Sequence, residues 1–163
     1  SGDTIGESRS RVFTQNELNQ LFKGIQCPAF NRFVRFAYFT GARSSEIRSI
    51  SSENLKNEYI LVKGKTGSRM VKLNGQAKEI ITEQKELWNY SKDFVSHKFK
   101  KECRKLGIKD ARFHDLRRTF GLNLIKQGMS IYKVSKLLGH SSVRTTEQHY
   151  APLLATDIDD FIL

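Results

Sequence analysis

The chain has 163 residues, 38% of them hydrophobic and 28% charged, the size and balance of one globular domain with a single core rather than of a disordered chain. Lys and Arg number 28 against 17 Asp and Glu, a net charge of +11 with a pI near 9.8; such a field draws a polyanion like nucleic acid, although a solubilising surface is an equal alternative from charge alone. No apolar run approaches the roughly 20 residues of a membrane span, Ser1-Gly2-Asp3-Thr4 lacks the form of a signal peptide, and Cys27 and Cys103 belong to no paired spacing, so they read as small core residues in a reducing compartment.

Residues 1–12 are polar and rich in Gly and Ser, the composition of a linker or frayed end, which leaves 13–163 as the domain. Thr14-Gln15-Asn16-Glu17 has the form of a capping box and predicts a helix with Leu18, Leu21, Phe22 and Ile25 on one face. Pro28 suits a first helical turn; Phe30, Phe33, Val34, Ala37 and Tyr38 continue at helical spacing, and Gly41 should end that helix. A short helix from Ser44 carries Glu46, Ile47 and Ile50. Tyr59–Val62 and Arg69–Leu73 are β-prone runs around Lys63-Gly64-Lys65-Thr66-Gly67-Ser68, which predicts a hairpin. Helical periodicity then returns over roughly 76–90, 93–106, 113–127, 130–138 and 142–150. The expected fold class is α+β: mostly helical, with one small antiparallel sheet in the N-terminal third.

Four segments place cationic or proton-handling side chains where the backbone changes direction. In Thr40-Gly41-Ala42-Arg43-Ser44-Ser45-Glu46, Arg43 sits just before a helix start, although a capping turn with a solvated arginine is the simpler reading. In His114-Asp115-Leu116-Arg117-Arg118-Thr119, residues three apart share a helical face, so His114 and Arg117 can converge on one anion while Asp115 and Arg118 point elsewhere. The plainer alternative there is a buried structural histidine beside a surface arginine. In Leu137-Leu138-Gly139-His140-Ser141-Ser142, Gly139 ends one helix and a serine can cap the next. The fourth segment is Thr145-Thr146-Glu147-Gln148-His149-Tyr150-Ala151-Pro152, where an isolated tyrosine is ordinarily core or interface.

In that order (Arg, hairpin Lys, His-x-x-Arg, Gly-His, Tyr) the set resembles the tyrosine recombinases, the family of phage integrases and chromosome-dimer-resolving recombinases, from about Phe13 to Pro152. Thr40–Glu46 matches the family's first arginine box and Leu137-Leu138-Gly139-His140 its second. The resemblance implies that Arg43 and Arg117 clamp a phosphate, that His114 and His140 assist, and that Tyr150 is the nucleophile. It also implies that Lys65 is the general acid, with Lys63 a weaker match, and that Glu46 supports Arg43. Many members place the tyrosine nine residues after the Gly-His histidine. Tyr150 is ten after His140, and His149 holds the nine-residue position, a shift of about 100° around a helix. Members usually carry a further N-terminal helical domain, and the chain is expected to be the catalytic half without it.

The implied reaction is attack of tyrosine on a DNA phosphodiester, giving a 3′-phosphotyrosyl bond and a free 5′-hydroxyl, followed by strand exchange and religation. A phenol with a pKa near 10 must lose its proton as it attacks. Two arginine forks can hold the extra charge of the phosphorane, so no metal or other cofactor is expected. The implied partner is double-stranded DNA, bound by a tetramer on paired sites, with the isolated domain monomeric; the expected setting is the cytoplasm of a bacterial or phage-bearing cell. A type IB topoisomerase and a non-catalytic DNA-binding module are the alternatives. Finally, Ile158, Phe161, Ile162 and Leu163 alternate with acids in the tail, a pattern expected to dock either on a neighbouring protomer or on the domain's own core.

Overall fold

A computed structural model describes residues 10–64, 67–155, 160, 162 and 163. Helix α1 (Gln15–Gly24) starts on the predicted box: the Thr14 hydroxyl accepts from the Glu17 N–H at 3.1 Å, and Thr14 N–H donates to the Glu17 carboxylate at 2.9 Å. Helix α2 (Pro28–Thr40) has Pro28 in its first turn and ends at Gly41, whose φ of 69° is left-handed. A side chain at Gly41 would meet two obstacles, the left-handed backbone angle and the Phe120 ring packed where a Cβ would stand. Helix α3 (Ser44–Arg48) follows directly, and a 3-10 turn (Ser52–Asn54) leads into the hairpin.

Strands β1 (Tyr59–Gly64) and β2 (Gly67–Lys72) pair antiparallel from Tyr59 with Lys72 to Gly64 with Gly67. Both strands run closer to the turn than their apolar stretches suggest, because backbone pairing does not need apolar side chains. Helices α4 (Gly75–Glu83), α5 (Lys92–Lys105), α6 (Asp115–Lys126), α7 (Ile131–Leu138) and α8 (Val143–Ala155) complete the described elements. The fold is thus mostly helical with a two-stranded sheet.

Three expectations change. Helix α4 stops at Glu83 rather than near residue 90, because the segment after it is recruited by α2. Trp88 Nε1 donates to the Ala29 carbonyl at 2.7 Å, Arg32 Nε donates to Gln84 Oε1 at 2.6 Å, and both Trp88 and Tyr90 pack edge-on against Phe33. Helix α8 continues past Tyr150 and through Pro152 to Ala155. Proline there removes a hydrogen bond to the carbonyl of Gln148, a solvent-exposed residue where water can replace it. Cys103 is buried as expected but Cys27 is exposed, at the N-cap of α2.

The main core joins α1 to α5 and the start of α6 around Phe30, Phe33, Phe36 and Phe99. A second, smaller cluster of Leu122, Val134, Leu138 and Tyr150 holds the far half of α6 against α7 and α8. Arg11 is pinned before α1: it forks onto Glu17 at 2.9 Å and donates to the Lys109 carbonyl at 2.9 Å. Among the described residues no helix is long and apolar enough to cross a membrane. In the tail, Ile158 and Phe161 lie outside the described residues, and Ile162 and Leu163 are exposed.

Candidate active site

The site is organised by the buried guanidinium of Arg117, on the first turns of α6. One Nη donates to the Gly41 carbonyl at 2.8 Å and the other to the Leu138 carbonyl at 2.6 Å. Those carbonyls end α2 and α7, where a helix leaves its last C=O groups without intrahelical partners. A single side chain therefore draws the turn bearing Arg43, the turn bearing His140 and its own helix to one point. Burial, then the like charges of Arg43 and Arg69, push this guanidinium down to about 9, with Glu46 and Tyr150 pulling the other way. It remains a cation at neutral pH.

Glu46 lies wholly buried beneath Arg43. Its carboxylate accepts the Arg43 N–H at 2.8 Å, closing the start of α3, and stands 3.6 Å from the Arg43 guanidinium. Its main partner is a residue that the sequence reading did not single out: Arg69 forks onto both carboxylate oxygens, at 2.6 and 2.9 Å. Burial alone would raise the Glu46 carboxyl; the hydrogen bonds from Arg69 and Arg43 outweigh it and hold the group below the usual carboxylate range. Arg69 also donates to the Leu137 carbonyl at 3.2 Å, and its side chain lies against Gly139, where a Cβ would sit 2.7 Å from Cδ. The signal was available in the strand's alternation. Arg69 shares its face with buried Val71, and a charge on the inner face of a strand needs a buried partner.

His140 follows the left-handed Gly139 and holds its Nδ1 2.6 Å from Thr146 Oγ1, which ties it to α8. Burial, then the charges of Arg117, His149, Arg43 and Arg69, push this imidazole down to about 4, so it is neutral at pH 7. His149 stacks on it with ring centroids 5.6 Å apart, whereas Tyr150, one residue on, turns into the small core and is only 2% exposed. Burial pushes the Tyr150 phenol up to about 12, against the pull of Arg117 and Arg118.

The expected pairing on α6 is inverted relative to its plainer alternative: Arg117 is buried and His114, at the N-cap, is exposed. Asp115 and Arg118, expected to point elsewhere, are both buried and 3.7 Å apart, and Arg118 Nη1 has no hydrogen-bond partner among the described residues. Lys65 lies outside the described residues; Lys63 is exposed on β1. The structure thus brings Arg43, Glu46, Arg117, His140 and Tyr150 together, with His114 at the rim and Arg69 added. Three guanidinium groups face one carboxylate, an excess of positive charge that suits an anionic ligand. Among the described residues no His, Cys, Asp and Glu cluster could hold a metal ion.

A family model described as the phage integrase family matches residues 11–156. The chain belongs to the phage integrase family. Tyrosine recombinase XerA of Saccharolobus solfataricus is 31% identical over 136 residues, covering 77% of this chain and 46% of that relative. Among solved structures, the catalytic domain of bacteriophage HP1 integrase superposes with a TM-score of 0.71 at 19% identity, over 93% of this chain and 96% of its own. XerH site-specific recombinase, bound to palindromic difH substrate in a post-cleavage complex, gives 0.72 at 18% identity, over 91% of this chain and 52% of its own. The fold is that of a tyrosine-recombinase catalytic domain. The chain spans about half the length of the curated relatives it matches.

Proposed function

We propose that this integrase-family chain is the strand-cleaving domain of a site-specific DNA recombinase, acting on double-stranded DNA in the cytoplasm. The observation that supports this reading is the Arg117 anchorage. By tying the Gly41 and Leu138 carbonyls, it gathers Arg43, His140 and Tyr150 around a buried excess of positive charge. A scissile phosphate is the natural counter-ion, and relatives of this family are recombinases seen with DNA.

In this reading Arg43 and Arg117 hold the non-bridging oxygens, fixed by Glu46 and by the helix-end carbonyls respectively. Fixed donors cost no reorganisation as the phosphorane gains charge. The phenol oxygen of Tyr150 attacks phosphorus, and its O–P bond replaces the bond to the 5′-oxygen. The phenol proton leaves to a base, with His114 the exposed candidate on α6. Neutral His140 donates a hydrogen bond to a phosphate oxygen. Lys65 protonates the departing 5′-oxygen, a role resting on the family resemblance. The phosphotyrosyl bond conserves the energy of the broken linkage, so a 5′-hydroxyl can reverse the step without ATP. Recombination uses four protomers on paired sites, and the isolated domain is a monomer.

A nicked suicide duplex that traps the covalent adduct tests the reading. The unaltered chain should yield a denaturant-resistant adduct, and Tyr150→Phe should yield none while binding DNA equally well. An adduct from the Phe variant would remove Tyr150 from its role. Lys65→Ala should regain much of its lost rate on a 5′-thio substrate, whose leaving group needs no proton; equal losses with oxygen and sulfur would reassign the acid.

A further inference from the structure

Gly121 lies buried in the middle of α6. Glycine is among the least favourable residues in a helix interior, so its presence calls for a close neighbour. The neighbour is Tyr150. A methyl group on Gly121 would overlap the phenol oxygen and lie 2.5 Å from Cζ and 3.1 Å from Cε2. Arg117 and Gly121 are four residues apart and so stack on one face of α6, which puts the phenol against the same wall as the anchored guanidinium, one turn further along. From the other side, α8 is held by buried Thr146, bonded to His140, and by Leu153 and Leu154 packed on the small core.

A tyrosine that is 2% exposed offers its oxygen to nothing as bulky as duplex DNA. We propose that Gly121 is a positioning residue for the nucleophile: the missing side chain makes a notch in α6 that seats the Tyr150 phenol inside the protein, and α8 must lift the ring from this seat before cleavage. The inference rests on Tyr150 being the nucleophile. The notch explains two facts together, a glycine where the helix disfavours one and a reactive phenol where no substrate can reach. Burial in the seat also keeps the phenol protonated, with its ionisation raised to about 12. A seated phenol is therefore both hidden and unreactive, and the fraction of molecules with the ring lifted sets the apparent cleavage rate.

Nitration by tetranitromethane at pH 8, read by peptide mass spectrometry on the DNA-free chain, reports on the seat without any catalysis. Tyr132, 60% exposed, is the internal standard. Tyr150 should react at least about tenfold more slowly than Tyr132, and Gly121→Ala should raise its rate by roughly fivefold or more, as expected for a shift in the buried population. Trp88, the one tryptophan and a buried one, should keep its emission, which separates a lifted ring from a loosened fold. On the suicide duplex the first-order rate of adduct formation at saturating DNA should rise, with half-saturation unchanged. A folded Gly121→Ala chain that leaves Tyr150 protected overturns the notch, and so does one that frees Tyr150 yet cleaves more slowly. If Gly121→Ala does not fold, the same change in the Tyr150→Phe background decides. Recovery of folding there supports a clash at the phenol oxygen, and failure there overturns it. Should Tyr150→Phe itself still form adduct, the nucleophile assignment has failed, whatever the nitration shows about the seat.

Discussion

Around Phe33 the packing is aromatic: Trp88, Tyr90 and Phe113 stand 5.2 to 5.4 Å from its ring, two of them edge-on, with Phe30 beyond at 6.1 Å. Among the described residues the buried company of Tyr150 is Leu122, Val134 and Leu138, with the partly buried Phe120 packed against them. The first region fixes the ends of α2 and α3 and so the height of Arg43 and Glu46. The second holds Tyr150 with a few aliphatic contacts. Helix α6 belongs to both, with Leu116 in the large core and Leu122 in the small one. The proposed phosphate clamp needs rigidity, whereas the proposed lifting of Tyr150 needs a shallow well, and the division of apolar residues along α6 suits both.

The residue at the seam should matter most. Arg117→Ala removes the proposed phosphate donor and releases two helix-end carbonyls at once. It should slow adduct formation on the suicide duplex by on the order of 10³-fold or more, about 4 kcal/mol. A loss below tenfold would mean that the seam carries no chemistry. Next come the two cores themselves. Phe33→Ala should cost about 3–5 kcal/mol in urea unfolding and lower the whole transition. Leu122→Ala should cost less, about 2–3 kcal/mol, at the low end of such truncations. It should also speed amide exchange in α8 well before α2 is affected. If α2 and α8 exchange at one common rate in that variant, the two regions are a single cooperative unit.

The last effect expected is the pH dependence of the small region. His140 is held at about 4 in the folded chain and titrates near 6.5 when unfolded. Between those values the unfolded chain binds the extra proton and the folded one does not, so stability falls as pH drops from about 6.5 to about 4 and then levels off. The melting temperature of His140→Gln should fall less across that window than that of the unaltered chain. A bound phosphate analogue should flatten the profile, because an anion beside the ring favours the imidazolium.

Much of this arrangement was legible because local rules decide it. The Thr14–Glu17 box, Pro28 in a first turn, Gly41 and Gly139 after last turns, and the alternation through the hairpin each specify backbone shape within a few residues. The spacing of Arg43, His114, Arg117, His140 and Tyr150 was readable as a family pattern, and their convergence was not. The misses share a cause in long-range packing. Helix α4 ends early because Trp88 is drawn to α2 across 59 residues. The alternation that puts Arg69 on the inner face of its strand does not name its partner, Glu46, 23 residues earlier. Cys27 read as a core residue because neither periodicity nor composition says what stands opposite.

The Arg117 anchorage also bears on how the domain comes to be finished. Its two hydrogen bonds close loops of 76 and 21 residues, and long loops must lose their freedom before such a contact returns anything. The hairpin, whose strands are joined by two residues, closes at short range and can form without it. The Arg117 anchorage therefore belongs to the late part of folding, after α6 and α7 have docked. A chain caught partway has secondary structure and a basic surface without that anchorage, and under the proposed function a half-folded molecule that touches DNA would hold it without breaking it.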